Sequence, residues 1–284
     1  MMLIETQENG PLRDPVFIAA FEGWNDAGEA ATGASHHLAN VWDAEEMATL
    51  DPEDYYDFQV TRPTVTGTGA DRMINWPSTR FAVARGVLPE RDVVLVRGPE
   101  PSFRWPSFVE DVVGFAEDCG ASMFVTIGAL LADTPHTRPT PVGVYAEDES
   151  LRRELGLEAP SYEGPTGITG IISSGAGDVG IPSVSVWASV PHYAASSPSP
   201  KAVLAIIARL ESLLSVDIPR RDLIDLATVW EQGVDELMAA DAEIAEYVQS
   251  LEKAKDTVDS PEASGDAIAR EFERYLRGRD GEEM

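Results

Sequence analysis

The sequence predicts a three-layer α/β protein, a mostly parallel sheet between helices, carrying a C-terminal helical extension. Three observations predict it. Short apolar runs rich in β-branched residues alternate with stretches of helical period, the pattern of a parallel sheet covered on both faces. Polar loops stiffened by Gly and Pro follow the carboxyl ends of those runs. From Ile218 onward the texture changes to a sustained amphipathic repeat. The expected division is an α/β domain over residues 1–215 and an acidic helical segment over 216–284.

The elements follow in order. Val16 to Phe21 reads as a buried strand. Asp26, with Glu29 three residues on, forms a capping-box arrangement ahead of a helix from Ala27 to about Trp42. Tyr55 to Val60 and Phe81 to Ala84 read as added strands, antiparallel to the rest. Asp92 to Val96 is a strand. Pro106 to Asp118 is a helix with Phe108, Val112, Val113 and Phe115 on its apolar side. Ser122 to Ile127 and Val142 to Tyr145 are strands, and Asp148 to Leu155 is a helix. Ser183 to Val190 is a strand and Pro200 to Leu214 a helix. Leu223, Leu226, Trp230, Val234, Leu237, Ile244, Val248 and Leu251 then recur at three- and four-residue steps. Asp259 to Gly265 interrupts them, and Ile268, Phe272, Tyr275 and Leu276 mark a short final helix.

Composition narrows the function. The net charge is -28, with 21 basic residues against 49 acidic ones. Phosphate neutralisation needs a basic face, so nucleic acid is not an expected partner. No run of about 18 uncharged apolar residues offers a membrane span, and Met1 to Pro15 holds no apolar stretch of signal-peptide length. A cytoplasmic location is expected. Cys119 is the single cysteine, which leaves no intramolecular disulfide and reads as a small buried apolar residue.

Ligands of open α/β sheets sit beyond the carboxyl ends of the strands, and the unusual residues of this chain collect there. Trp24, Asn25 and Asp26 follow the first strand, within Glu22-Gly23-Trp24-Asn25-Asp26-Ala27-Gly28. Arg97-Gly98-Pro99-Glu100-Pro101 follows another, with Arg104 and Trp105 close behind. Asp133-Thr134-Pro135-His136-Thr137-Arg138-Pro139 and Pro191-His192-Tyr193 complete the set. The candidate cleft is therefore Trp24, Asn25, Asp26, Glu100, Arg104, Trp105, His136, Arg138, His192 and Tyr193. Most have a plainer reading: Asp26 as an N-cap, the tryptophans as core or interface residues, the histidines as hydrogen-bonded loop residues, and the arginines as partners of nearby acids. No catalytic residue is assigned.

Several apparent motifs fail on context. Gly175-Ala176-Gly177-Asp178-Val179-Gly180 fits the dinucleotide spacing, but a strand follows it where a helix should open. It reads as a glycine-rich connection into that strand. Ser173 and Ser174 lack the glycine two residues earlier that a hydrolase elbow needs. His36 and His37 are adjacent, so one helix cannot aim both at one metal. No cofactor and no metal are expected. Lysine occurs at Lys201, Lys253 and Lys255 alone, which removes the phosphate-binding lysines that ATP-dependent carboxylate–amine ligation uses.

Taken in order, five segments resemble the proteasome assembly chaperone 2 family, in its bacterial, actinobacterial-type branch. They are Gly23-Trp24-Asn25-Asp26-Ala27-Gly28, Arg97-Gly98-Pro99-Glu100-Pro101 with Arg104-Trp105, Pro135-His136-Thr137-Arg138-Pro139, Glu163-Gly164-Pro165-Thr166-Gly167-Ile168, and Pro191-His192-Tyr193. The resemblance spans roughly residues 15 to 215. It implies a fold like that of nucleoside phosphorylases and hydrolases, a tendency to form homo-oligomers, and a protein partner, proteasome subunits or another. Chaperones of the family often end in a hydrophobic–Tyr–any tail. This chain instead ends Arg279-Asp280-Gly281-Glu282-Glu283-Met284, a departure that bears on docking by the tail. The leading functional expectation is a non-enzymatic oligomeric chaperone or assembly factor. The alternative is a binder of, or enzyme acting on, a nucleoside or anion in the cleft.

Overall fold

Residues 3–5, 10–157, 160, 162–195 and 198–258 are described by the computed structural model. In chain order the elements are β1 (Leu3–Glu5), β2 (Val16–Glu22), α1 (Ala30–Val41), β3 (Glu45–Leu50), β4 (Thr64–Thr66), β5 (Met73–Asn75), β6 (Arg80–Leu88), β7 (Arg91–Pro99) and α2 (Trp105–Asp118). They continue with β8 (Met123–Ala132), β9 (Val142–Tyr145), α3 (Glu149–Leu155), α4 (Ile168–Asp178), β10 (Ser183–Pro191), α5 (Pro200–Leu214), α6 (Leu223–Ala240) and α7 (Ala242–Val258).

Eight strands form one sheet in the order β1-β3-β6-β7-β2-β8-β10-β9, while β4 and β5 pair as a separate hairpin. The centre, β7-β2-β8-β10, is parallel. Antiparallel strands extend it on both sides: β6, β3 and β1 beyond β7, and β9 beyond β10. The sheet is thus mixed, with its parallel part confined to the four central strands.

β2 shows why the layers form. Every residue from Val16 to Phe21 is buried, and successive side chains of a strand point to opposite faces. Val16, Ile18 and Ala20 meet Ala31, Ala34 and Leu38 of α1, with Val203, Ile206 and Leu210 of α5. Phe17, Ala19 and Phe21 meet Phe108, Val112 and Phe115 of α2, with Ile168 and Ile172 of α4. A strand apolar on both faces has to lie between two helical layers. Burying a Phe side chain contributes about 1.5–3 kcal/mol, and Phe17, Phe21, Phe81, Phe108 and Phe124 are all buried below 2% exposure.

The structure corrects several sequence expectations. Tyr55 to Val60 is not a strand. A single helical turn over Pro52–Asp54 precedes it, and the N–H groups of both Tyr55 and Tyr56 donate to the Pro52 carbonyl, at 3.2 and 3.1 Å. Both tyrosines are buried, and their hydroxyls are held by Asp111 and by Thr79 and the Pro99 carbonyl. The glycine-rich stretch before β10 is not a connection: most of it is the end of α4. Gly175 lets α4 approach α2, because a Cβ there would stand 2.6 Å from Val109 Cγ1. The first helix begins at Ala30, after a short turn over Ala27–Glu29. Cys119 is only partly buried, at the edge of the α2-side core.

Beyond residue 215 the chain makes two helices, separated at Asp241, where the backbone is extended. The inner face of α6, with Leu223, Ala227 and Val234, is buried, as is Val248 of α7. Leu226 and Leu237, assigned by period to the buried stripe, are exposed. The final helix expected over Ile268 to Leu276 lies outside the described residues. No helix among the described residues is long and apolar enough to cross a membrane.

Candidate functional site

The loop leaving β2 is built around two buried polar side chains. Asn25 is 5% exposed and Asp26 9%. The Asn25 carbonyl accepts from the N–H of Ala129 on β8 at 2.8 Å, so the loop is laid along the neighbouring strand. Asp26 Oδ1 accepts from the N–H groups of Ala31 and Thr32 at 2.8 and 3.1 Å, and Oδ2 accepts from the Thr32 hydroxyl. The carboxylate caps the first turn of α1 from four residues before it, and Glu29 stands in a left-handed backbone conformation rather than closing a capping box. Burial raises the Asp26 carboxyl above its usual range against those hydrogen bonds, and Glu22 is raised by burial and by the charges of Asp26 and Glu29.

The same loop holds the start of α4. Asn25 Oδ1 accepts from the Thr169 hydroxyl at 2.9 Å, and Glu100 Oε1 accepts from the N–H of Ile168 at 2.9 Å. A carboxylate at a helix N-terminus satisfies an orphan donor and meets the positive end of the dipole. Gly167 is required by this approach, since a Cβ would lie 1.8 Å from Asn25 Oδ1. Trp24 is 62% exposed at the loop's tip. Arg104 and Trp105 form a separate group at the start of α2. Arg104 Nη1 donates to Asp54 at 2.5 Å and its guanidinium lies 5.9 Å from the Tyr55 ring centroid. The Trp105 indole donates to the Pro101 carbonyl at 2.7 Å.

The residues after β8 and β10 meet the C-terminal helices. His136 is 1% exposed. Its ring lies 2.8 Å from the Tyr193 hydroxyl through Nδ1 and 3.1 Å from Asp235 of α6 through Nε2. The Lys201 ammonium donates to the His136 carbonyl and, at 2.7 Å, to Glu231 of α6. Arg138 makes a forked pair with Asp256 of α7, at 2.7 and 2.8 Å, and Thr137 donates to Glu252. Asp133 accepts from the Tyr247 hydroxyl at 2.9 Å and lies 3.3 Å from His192 Nδ1. The hydrogen bond with Asp256 raises the Arg138 guanidinium and lowers the Asp256 carboxyl. Burial pushes the Tyr193 phenol up to about 12.

The candidate residues therefore fall into three groups. Asn25, Asp26 and Glu100 fix the helix starts, with Trp24 exposed at the tip of the same loop; Arg104 and Trp105 lie at α2; and His136, Arg138, His192 and Tyr193 lie beneath or beside α6 and α7. No cluster of three metal-ligating side chains occurs among the described residues.

A cavity of about 330 Å³ opens elsewhere on the same edge, between α1, β6 and β7, with Glu22, His36, Trp76, Arg80 and Arg97 in its wall. None of these is among the cleft candidates, although Glu22 and Arg97 each begin one of the polar loop segments that follow the strands. The missing signal was register: Arg80 and Arg97 are seventeen positions apart in sequence and become neighbours only when β6 pairs with β7.

The PAC2 family profile matches residues 20–238, running past residue 215 through most of α6. No curated protein matches the chain significantly. Among solved structures, a PAC2 family protein from Streptomyces avermitilis is 54% identical, with 83% of this chain and 100% of that one covered, at a TM-score of 0.78. A proteasome-assembly chaperone homologue from Mycobacterium tuberculosis is 44% identical, covering 82% and 99%, at a TM-score of 0.75. An archaeal proteasome activator from Pyrococcus furiosus, at 17% identity and a TM-score of 0.64 over 83% of this chain and 97% of that one, shares the fold. With most of its length matched and two relatives this similar, the chain belongs to the PAC2 family.

Proposed function

We propose that this protein is a non-enzymatic assembly factor that acts in the cytoplasm as a homo-oligomer and binds a protein partner, proteasome subunits being the first class to test. The observation that carries the reading is the engagement of the chemistry-bearing loop. His136, Arg138 and Lys201 are held by Asp235, Asp256 and Glu231 of α6 and α7, and His192 pairs with Asp133, which accepts from Tyr247 of α7, so the residues best suited to catalysis are engaged where α6 and α7 dock. Similarity to a proteasome-assembly chaperone homologue supports the same reading. So do the apolar side chains left on the surface, Leu226, Val229 and Leu237 on α6 and Val65, Met73 and Ile74 on the β4–β5 hairpin. Contiguous exposed apolar residues mark interaction sites.

The test is affinity capture of the tagged chain from its own cells at low salt, with co-purifying proteins quantified by mass spectrometry and the bait's mass measured by light scattering. Near-stoichiometric proteasome α subunits, or another single protein, on an oligomeric bait is the expected result. A monomeric bait recovered alone would overturn the reading.

A further inference from the structure

Arg97 lies on β7 two residues beyond Leu95, on the sheet face that α1 covers. In the β6–β7 pairing it stands directly opposite Arg80, and on its other side it adjoins Ala20 of β2. Like charges directly opposed across two strands destabilise the pair. Arg80 is relieved by Glu46, whose Oε2 lies 2.7 Å from Nη1. Arg97 feels the Glu46 charge without a direct ion pair, and burial and Arg80 outweigh it. Its Nε is buried without an acceptor, and no carboxylate among the described residues forms an ion pair with it. In a chain with 49 acids and 21 bases, a half-buried arginine with no carboxylate in ion-pair contact is the exception. An unpaired buried charge is costly, and here it borders a cavity.

The cavity's contents define what would complete it. With the Arg80–Glu46 pair neutral, Arg62 and Arg97 face Glu22 alone, a surplus of one positive charge. Burial and the neighbouring Arg97 hold His36 below its ordinary pKa, so its ring adds a hydrogen-bonding group and no charge. A dianion would therefore be under-compensated. Trp76, half exposed and tilted against Phe58 with ring centroids 4.9 Å apart, supplies an aromatic wall. A volume of about 330 Å³ suits a small molecule rather than a polymer. The planar guanidinium fork matches a carboxylate. We propose that the cavity between α1, β6 and β7 binds the carboxylate of a small organic acid, with Arg97 as the fork and Trp76 as the wall for its apolar body.

Calorimetric titration of the full chain with benzoate, acetate and inorganic phosphate, at matched ionic strength, tests the assignment. Saturable binding of benzoate, weaker binding of acetate and none of phosphate is expected. Arg97→Gln should weaken benzoate by about tenfold or more, the scale of one lost charge-assisted contact. Trp76→Ala should weaken benzoate and spare acetate. Carboxylates that fail to bind at tens of millimolar, bind Arg97→Gln equally well, or bind more weakly than phosphate would overturn it. Arg97→Met supplies a second measurement without ligand. A melting temperature equal to or above that of the parent supports a charge kept for a ligand, and a clear fall identifies Arg97 as structural and sinks the proposal.

Discussion

At the scale of single residues, the plainer reading of Asp26 accounts for its geometry. Its carboxylate satisfies two backbone donors and one hydroxyl at the start of α1. Removing a cap costs about 0.5–2 kcal/mol, and stranding buried donors adds to it. Asp26→Ala is expected to lose about 2 kcal/mol in urea unfolding with an unchanged slope. A loss below about 0.5 kcal/mol would show that water replaces the carboxylate at the helix start. Asn25 and Glu100 belong to the same type of fixture, because each holds one polar group of the first turn of α4. Three conspicuous polar residues of the family motifs thus have structural tasks in view.

At the scale of elements, α7 is held through polar contacts more than through apolar ones. Val248 is its one fully buried large side chain among the described residues, while Arg138, Thr137 and Asp133 reach Asp256, Glu252 and Tyr247. Exposed ion pairs contribute about 0–1 kcal/mol each. Arg138→Ala should therefore leave the global melting temperature nearly unchanged while speeding amide exchange across Ala242–Val258. Unchanged exchange there would show that the apolar seam alone holds the helix. The elements legible in the sequence were those whose period matched their burial. β2 was readable because both its faces are apolar, and α2 and α5 because one stripe of each is. α4 was not, because Gly170, Gly175 and Gly177 argue against a helix until the close approach to Val109 is known. Tyr55 and Tyr56 imitate a strand by composition, yet their hydroxyls are fixed by Asp111, Thr79 and Pro99, contacts with distant segments. The carboxyl edge was legible as the place of the polar loops. The pairing of Arg80 with Arg97 was not, since it depends on the register of two strands.

At the scale of the whole molecule, charge and topology set the behaviour. A net charge of -28 repels itself in the compact state, and added salt screens that repulsion within a Debye length of about 8 Å at physiological ionic strength. Raising sodium chloride from low to physiological concentration should raise the melting temperature. A fall would mean that the ion pairs across the sheet and helices outweigh the self-repulsion. Topology has a consequence in time. β2 sits between β7 and β8, yet β7 ends at Pro99 and β8 at Ala132, long after Glu22. At about 5–20 residues per second of synthesis, the apolar segment Val16–Phe21 waits on the order of several seconds on the ribosome before either neighbour can cover it. The strand at the heart of the sheet is the one made earliest of the central four, so the nascent chain carries an entirely apolar segment for that time without a strand partner.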